Sequence, residues 1–199
     1  MMFVELFTPW GNLDATGRRL VAGRLGSLCE LTGGGAPVGD GTAEVFRSMF
    51  QVVVHEPEVW VAGDRPLGPA DRPHYLVRVY VPGPWRKDMS HTVIEYVTRV
   101  INEVDGGNPA VQVHVLGVPE GGIGLDGRAR TSAEIVDLLS EPHQAELGAG
   151  RAARDPLCGV IVPLGDDAIT LEADGTLHAF CCAGCRDAYV GRRERADRA

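Results

Sequence analysis

Apolar and polar positions in the front half of the chain follow a pattern that occurs twice. Alternating or nearly continuous apolar runs predict opening strands, FVELF at 3–7 and LVRVY at 76–80. The predicted closing strands, within 50–64 and 111–127, both run into a Pro-Glu turn and a short ribbon containing glycine. Since each repeat also has a helical segment between its strands, residues 1–127 are interpreted as a duplicated β-α-β unit.

Each repeat contains one predicted helix. In the first repeat, Asp14 is the predicted N-cap. The apolar face of this helix is predicted to consist of Leu20, Leu25, Leu28 and Leu31. In the second repeat, Asp88 or Ser90 is predicted to cap MSHTVIEYVTRVINEV, and Gly106-Gly107 to end it. The glycine-rich connection at 33–41 has no counterpart in the second repeat.

Chirality restricts how the two repeats combine. Two right-handed β-α-β units can join edge to edge into a four-stranded sheet with both helices on one face. The opposite face also carries apolar side chains, and a layered domain must cover such a face. We therefore expect a homo-oligomer in which other subunits supply the cover.

The rest of the chain predicts a connecting region and a small second domain. A short helix is expected at 132–139 with Ser132 as its cap, and HQAELGAGRAAR at 143–154 is expected to be a flexible linker. Asp174-Gly175 predicts a hairpin between strands at 168–172 and 176–180, with a helix after it. The expected α+β chain thus comprises a domain at 1–130, a helix and linker at 131–154, and a domain at 155–199.

Four of the five cysteines lie in the last predicted domain. Cys158 is expected in a tight turn beside Gly159, while Cys181 and Cys185 share the helical i, i+4 spacing. Their thiolates can therefore converge on one metal ion per chain, with zinc as the first choice and copper(I) or another soft metal as the alternative. Cys29 stands alone, and we expect it to be packing material.

Three thiolates leave a tetrahedral ion one ligand short. Asp155 lies three residues before Cys158, which is the spacing of a zinc knuckle whose first cysteine has been replaced. His178 and Cys182 are also close in the sequence. The fourth ligand is therefore Asp155, His178 or Cys182, or the position is open.

Charge and segment composition exclude other classes of partner. A formal net charge of −8 opposes binding to nucleic acid phosphates. No apolar run reaches the roughly 20 residues that span a bilayer, and the N-terminus lacks the pattern of a signal peptide. We expect no membrane association and a cytoplasmic location, where thiols stay reduced and clustered cysteines favour a metal over disulfides.

The front half resembles the tautomerase superfamily, in particular its fused, two-repeat members. The resemblance covers residues 1–127 and depends on the paired β-α-β units, on VWVAGD at 59–64 and on GGIGLDG at 121–127. Fused members of the family assemble as trimers of duplicated chains, so the resemblance implies a homotrimer.

That family uses an N-terminal proline whose amine acts in catalysis, whereas Met2 stands at the matching position here. Pro73 precedes the second repeat, but its nitrogen is an amide. The alternative function is a tautomerase or isomerase that uses the Met1 amine and a pocket near Trp60 on a small enolisable or unsaturated carboxylate; the catalytic residues are unknown. Candidate substrate-binding cations are Arg18, Arg47, Arg78 and Arg86.

The last domain resembles the YHS/TRASH family of small treble-clef-like metal-binding domains. The motifs DPLCG at 155–159 and FCCAGC at 180–185 carry this resemblance, which covers residues 155–190. Val160 replaces the methionine that usually follows Cys-Gly, and Cys182 stands where serine is usual. The favoured function is binding of a transition or heavy metal by Cys158, Cys181 and Cys185 on an oligomeric tautomerase-like scaffold. A third possibility is a scaffold whose tail recruits a protein partner.

Overall fold

The computed structural model describes residues 3–32, 39–68 and 70–196. Its strands are β1 (Phe3–Phe7), β2 (Gln51–His55), β3 (Val61–Ala62), β4 (Arg65–Pro66), β5 (His74–Pro82), β6 (Ala110–Val118), β7 (Ile123–Leu125), β8 (Arg128–Arg130), β9 (Ala152–Arg154), β10 (Ile161–Pro163), β11 (Ile169–Ala173) and β12 (Thr176–Phe180). Its α-helices are α1 (Ala15–Leu25), α2 (Leu28–Leu31), α3 (Asp40–Met49), α4 (Arg86–Asp105), α5 (Ser132–Ser140), α6 (Gln144–Gly148) and α7 (Ala183–Ala196).

The front half forms one four-stranded sheet in the order β2-β1-β5-β6. β1 and β2 are parallel, as are β5 and β6, while β1 and β5 meet antiparallel at the centre of the sheet. The two repeats therefore join edge to edge, which confirms the predicted four-stranded architecture.

Helices α1 and α4 cover the same sheet face, the one to which alternate strand residues point their apolar side chains. Val4 and Leu6 of β1 and Val77 and Val79 of β5 point into the core and are at most 2% exposed. The helices contribute Val21 and Leu25 from α1 and Val93, Val97, Val100 and Ile101 from α4. The α4 helix ends at Gly106, whose φ of 69° is left-handed, as the predicted stop signal requires.

The opposite sheet face combines aromatic and charged side chains. Phe3 stacks on Tyr80 with ring centroids 5.6 Å apart, and Phe7 stacks on His55 at 4.4 Å. Glu5 accepts a hydrogen bond from the Tyr80 hydroxyl at 2.8 Å. This face is thus more polar than the alternation predicted.

Helix boundaries differ from the prediction in three places. Asp14 caps α1, accepting a bond from the Gly17 amide at 2.6 Å, but that helix breaks at Gly26 and Leu20 is 50% exposed. The unpredicted α3 follows in the first repeat only. In the second repeat, α4 already begins at Arg86, so Asp88 and Ser90 lie inside the helix rather than at its cap.

The region predicted to be a flexible linker contains regular structure, so that prediction is wrong. Thr131, not Ser132, caps α5, because its side chain and that of Glu134 form a reciprocal capping box. The following residues form a 3₁₀ turn at Glu141–His143 and then α6. β9 pairs antiparallel with β10 and so contributes to the structure around the first cysteine.

Residues 132–160 pack against the front half through a continuous apolar core. Ile135 and Leu139 of α5 and Val160 belong to the same buried cluster as the sheet and its helices. The buried Thr42 hydroxyl of α3 donates to the Leu139 carbonyl at 2.8 Å. Across the described ranges, no helix has both the length and the apolar character that crossing a bilayer requires.

Candidate metal centre

Cys158 lies in a turn between β9 and β10. The Gly159 amide donates to the Asp155 carbonyl at 2.8 Å and closes the turn. Gly159 has a φ of 81°, a left-handed conformation that a residue with a Cβ adopts only with strain. The glycine after Cys158 therefore allows the chain to reverse at the cysteine.

Cys181 and Cys185 come from the junction between β12 and α7. The β11–β12 hairpin has the predicted turn, with Asp174 and Gly175 both at positive φ. Cys181 directly follows β12, and Cys185 lies in the first turn of α7. The Cys181 sulfur is 3.6 Å from that of Cys158 and 3.5 Å from that of Cys185. The structure thus brings together all three cysteines that the sequence selected.

Asp155 holds these segments in position. Its Oδ1 accepts the amides of Leu157 at 2.8 Å and Cys158 at 3.2 Å, and its Oδ2 accepts the Cys181 amide at 2.8 Å. Asp155 is only 1% exposed. Its carboxylate therefore joins the turn that bears Cys158 to the segment that bears Cys181.

The spacing of the four groups suits a metal ion. One ligand atom each from Asp155, Cys158, Cys181 and Cys185 lies within 4.8 Å of the others. A tetrahedral zinc with Zn–S bonds of about 2.3 Å separates its sulfurs by about 3.8 Å. The separations of 3.6 and 3.5 Å seen here therefore require shifts of only a few tenths of an ångström. A disulfide needs about 2.05 Å, which these cysteines do not approach.

The electrostatics of the cluster favour a cation. Hydrogen bonds from Cys181 and Cys185 hold the pKa of the Cys158 thiol well below its usual range. The same bonds to Cys158, together with burial, raise the pKa values of Cys181 and Cys185. Burial and the nearby Cys158 raise the pKa of Asp155 to about 6. Hydrogen bonds from Cys181 and Cys185 also lower the pKa of the neighbouring Cys182 thiol to about 3. The thiols therefore share negative charge in a largely buried site, and a bound cation would stabilise that charge.

Two of the candidate fourth ligands have other roles. The His178 Nε2 lies 3.3 Å from the Tyr189 hydroxyl and is not in the cluster of ligand atoms found among the described residues. The Cys182 sulfur accepts the Cys185 amide at 3.3 Å, which makes it the N-cap of α7. A cysteine here therefore performs the capping role of a serine, and Asp155 and an open position remain as candidates.

The cysteines also line a cavity that sequence reasoning missed. It has a volume of about 340 Å³ and lies between the front half of the chain and residues 157–192. Its apolar walls include Leu28, Leu31, Phe46, Met89 and Val160. No local sequence signal marks such a cavity, because its walls come from segments more than 100 residues apart.

A second, more open depression of about 860 Å³ lies beside Trp60. Arg72, His74 and Arg78 line it. Of the other predicted substrate-binding cations, Arg18 pairs with Glu56 at 2.8 Å and Arg47 bonds the Ala43 carbonyl within its own helix.

Three further residues singled out in the sequence are Met1, Met2 and Cys29. Met1 and Met2 lie outside the described residues. Cys29 is exposed, so the prediction that it is packing material is wrong.

Comparison with known proteins supports the fold. No protein-family model and no curated protein matches the chain. The solved structure of Pt0534 inactivated by 2-oxo-3-pentynoate aligns with a TM-score of 0.50 at 18% identity, over 66% of this chain and 98% of that one. R7 fused 4-OT, solved as an asymmetric trimer, aligns with a TM-score of 0.49 and 16% identity, over 64% of this chain and 94% of that one. N1, a member of the cis-3-chloroacrylic acid dehalogenase family, aligns with a TM-score of 0.49 and 18% identity, over 74% of this chain and 99% of that one.

These findings establish a fold and a candidate site. The likeness to Pt0534 shows that the chain has a tautomerase-like fold, and at 18% identity it shows the fold alone. A cluster of one aspartate and three cysteines that could hold a metal ion lies beside that fold.

Proposed function

We propose that this protein binds one transition or heavy-metal ion per chain through Cys158, Cys181 and Cys185, on a homotrimeric tautomerase-like scaffold. Zn²⁺ is the first choice and Cu(I) the alternative, because borderline and soft ions prefer thiolate ligands. The convergence of three sulfurs within bonding range of one ion carries the proposal. We further propose that residues 155–199 form a YHS/TRASH-like domain and that the protein is located in the cytoplasm.

Metal analysis of protein purified without a histidine tag tests this proposal. We expect about one Zn²⁺ or Cu(I) per chain, and Cys185→Ser should lower the metal content strongly. Cys182→Ser is the matched control: it changes the neighbouring thiol but keeps an N-cap, so its metal content should stay close to that of the natural protein. Failure of the natural protein to take up Zn²⁺, Co²⁺ or Cu(I) would contradict the proposal.

An enzyme of tautomerase or isomerase type is a second candidate. The depression beside Trp60 favours it, since Arg78, which lines it, could bind a small carboxylate. Arg72 also lines it, but its guanidinium already donates hydrogen bonds to Asn108 and Pro109. In this reaction the Met1 amine, with an ordinary pKa of about 7.7–8.0, would act as the general base.

The inhibitor of the structural neighbour provides a direct test of this second function. Because Pt0534 is inactivated by 2-oxo-3-pentynoate, we would treat this protein with the same compound and locate any adduct by peptide mass spectrometry. An adduct on the Met1 amine, together with ketonisation of phenylenolpyruvate that an N-terminal extension abolishes, supports the enzyme. Activity that survives the extension excludes Met1.

A further inference from the structure

The three cysteines that converge on one point also line the apolar cavity between the front half and the last domain. Cys158, Cys181 and Cys185 contribute to its wall, whereas Asp155 is not among the described residues that line it. A metal held by these sulfurs would therefore lie at the edge of the cavity.

The Asp155 carboxylate is already engaged away from the cavity. Both of its oxygens accept backbone amides, from Leu157, Cys158 and Cys181. Three of its roughly four lone-pair positions thus accept amides, and turning the carboxylate towards a metal would weaken its bonds to these partly buried amides. The fourth coordination position is consequently left for a group that enters from the cavity, as in zinc sites with three protein ligands and one exchangeable ligand.

The cavity wall offers few free polar groups. The Thr42 hydroxyl donates to the Leu139 carbonyl, and the Thr32 hydroxyl donates to the Cys29 carbonyl. At the rim, Arg192 forms two hydrogen bonds with Asp88, so both charges are compensated. The wall thus presents mainly apolar side chains and the cysteine sulfurs, with the Thr92 hydroxyl and the Trp85 indole as further polar groups.

Charge decides which ligand fits. A divalent ion with three thiolates already has a net charge of −1, and an anionic fourth ligand would add a second charge in apolar surroundings. An uncharged donor avoids that cost. The volume of about 340 Å³ is within the usual range for small-molecule pockets.

We infer that the metal has an exchangeable fourth position open to this cavity, which takes a small, uncharged, apolar molecule with one nitrogen or sulfur donor atom. The inference depends on the proposed metal-binding function and makes the site a ligand-binding one instead of a closed structural one.

Co²⁺-loaded full-length protein tests the inference through its visible spectrum, titrated with 4-phenylimidazole and with imidazole. We expect both to shift the Co²⁺ bands, and 4-phenylimidazole to bind at least about tenfold more tightly because the cavity buries its phenyl ring. Leu28→Trp, which fills part of the cavity, should reduce that preference. Leu177→Trp is the matched control on the exposed hairpin, where Leu177 is 63% exposed, and should keep it.

The outcomes separate the two proposals. If Co²⁺ does not bind, the metal-binding function itself fails. If Co²⁺ binds but neither imidazole changes its spectrum, the fourth position is closed and only this inference is overturned. Equal affinity for the two imidazoles, unchanged by Leu28→Trp, would also overturn it.

Discussion

At the scale of single residues, Asp155 is the position on which the candidate metal centre most depends. It is buried, and its three backbone hydrogen bonds connect segments that are 26 residues apart in the sequence. The sequence led us to consider it as a ligand, whereas the structure shows a carboxylate that positions two of the cysteines. Such supporting partners of metal ligands typically contribute 10–100-fold to metal affinity.

Replacing Asp155 separates a positioning role from direct coordination. Asp155→Ala leaves three partly buried amides without an acceptor and should weaken Zn²⁺ binding by roughly 10–100-fold. Asp155→Asn keeps an oxygen for the Leu157 and Cys158 amides and should lose less. Competition titrations against a chelator measure both variants. Equally complete loss of binding in the two variants would indicate that Asp155 is itself a ligand.

The coupled thiols make metal affinity depend on pH. The raised pKa values of Cys181 and Cys185 keep both thiols protonated near pH 7, while the depressed pKa of Cys158 favours its thiolate. Metal binding should therefore release about two protons, and the affinity should rise about 100-fold per pH unit near neutrality. Calorimetry in buffers of different ionisation enthalpy measures the release. An affinity independent of pH between 6 and 8 would contradict this assignment.

At the scale of elements, α7 is held against α4 by a close contact and an ion pair. A Cβ built on Gly184 would lie 2.9 Å from the Thr92 Cγ2. One turn away from this contact along α4, Asp88 binds the Arg192 guanidinium. Glycine at 184 thus lets the two helices approach closely where the cysteines meet the front half.

Gly184→Ala should destabilise the protein by about 1–3 kcal/mol, because the new methyl group collides with Thr92. Combining it with Thr92→Ala should restore most of the loss. Gly191→Ala is the control within the same helix: its Cβ meets only the far end of the Arg195 side chain at 3.4 Å. Alanine's higher helix propensity predicts a neutral effect or a gain of up to about 1 kcal/mol there. Denaturant unfolding would measure all four proteins, and equal effects of the two glycine changes would refute the contact argument.

At the scale of the whole molecule, the sheet face away from the helices is the surface that other subunits are proposed to cover. Val53 and Leu116 on this face are 38% and 37% exposed in the single chain. Phe3, Phe7 and Tyr80 lie half-buried between them. Covering these side chains removes apolar area from water, which favours association.

Sedimentation should therefore give a mass of about three times the 21.3 kDa of one chain. Leu116→Arg places a charge on the proposed interface and should shift the protein towards smaller species. Ile94→Arg is the control, because Ile94 is 41% exposed on α4, which covers the other side of the sheet. A monomer at micromolar concentration, or equal effects of both variants, would contradict the trimer.

Much of the fold and of the candidate centre could be predicted from local patterns. Alternation predicted the sheet strands, Asp174-Gly175 predicted the hairpin, and the spacing of Cys158, Cys181 and Cys185 predicted their convergence. The linker prediction failed because β9 is stabilised by pairing with β10, a partner that periodicity within the segment does not reveal.

The sequence by itself determined the repeated strands, the hairpin turn and which thiols meet, because turn residues, strand alternation and cysteine spacing are read from the residues themselves. Only the tertiary structure decided that Asp155 is a shared hydrogen-bond acceptor, that Cys182 caps α7 and that an apolar cavity adjoins the sulfurs. These features depend on where segments far apart in the chain come to pack, and burial and unpaired amides are properties of that packing.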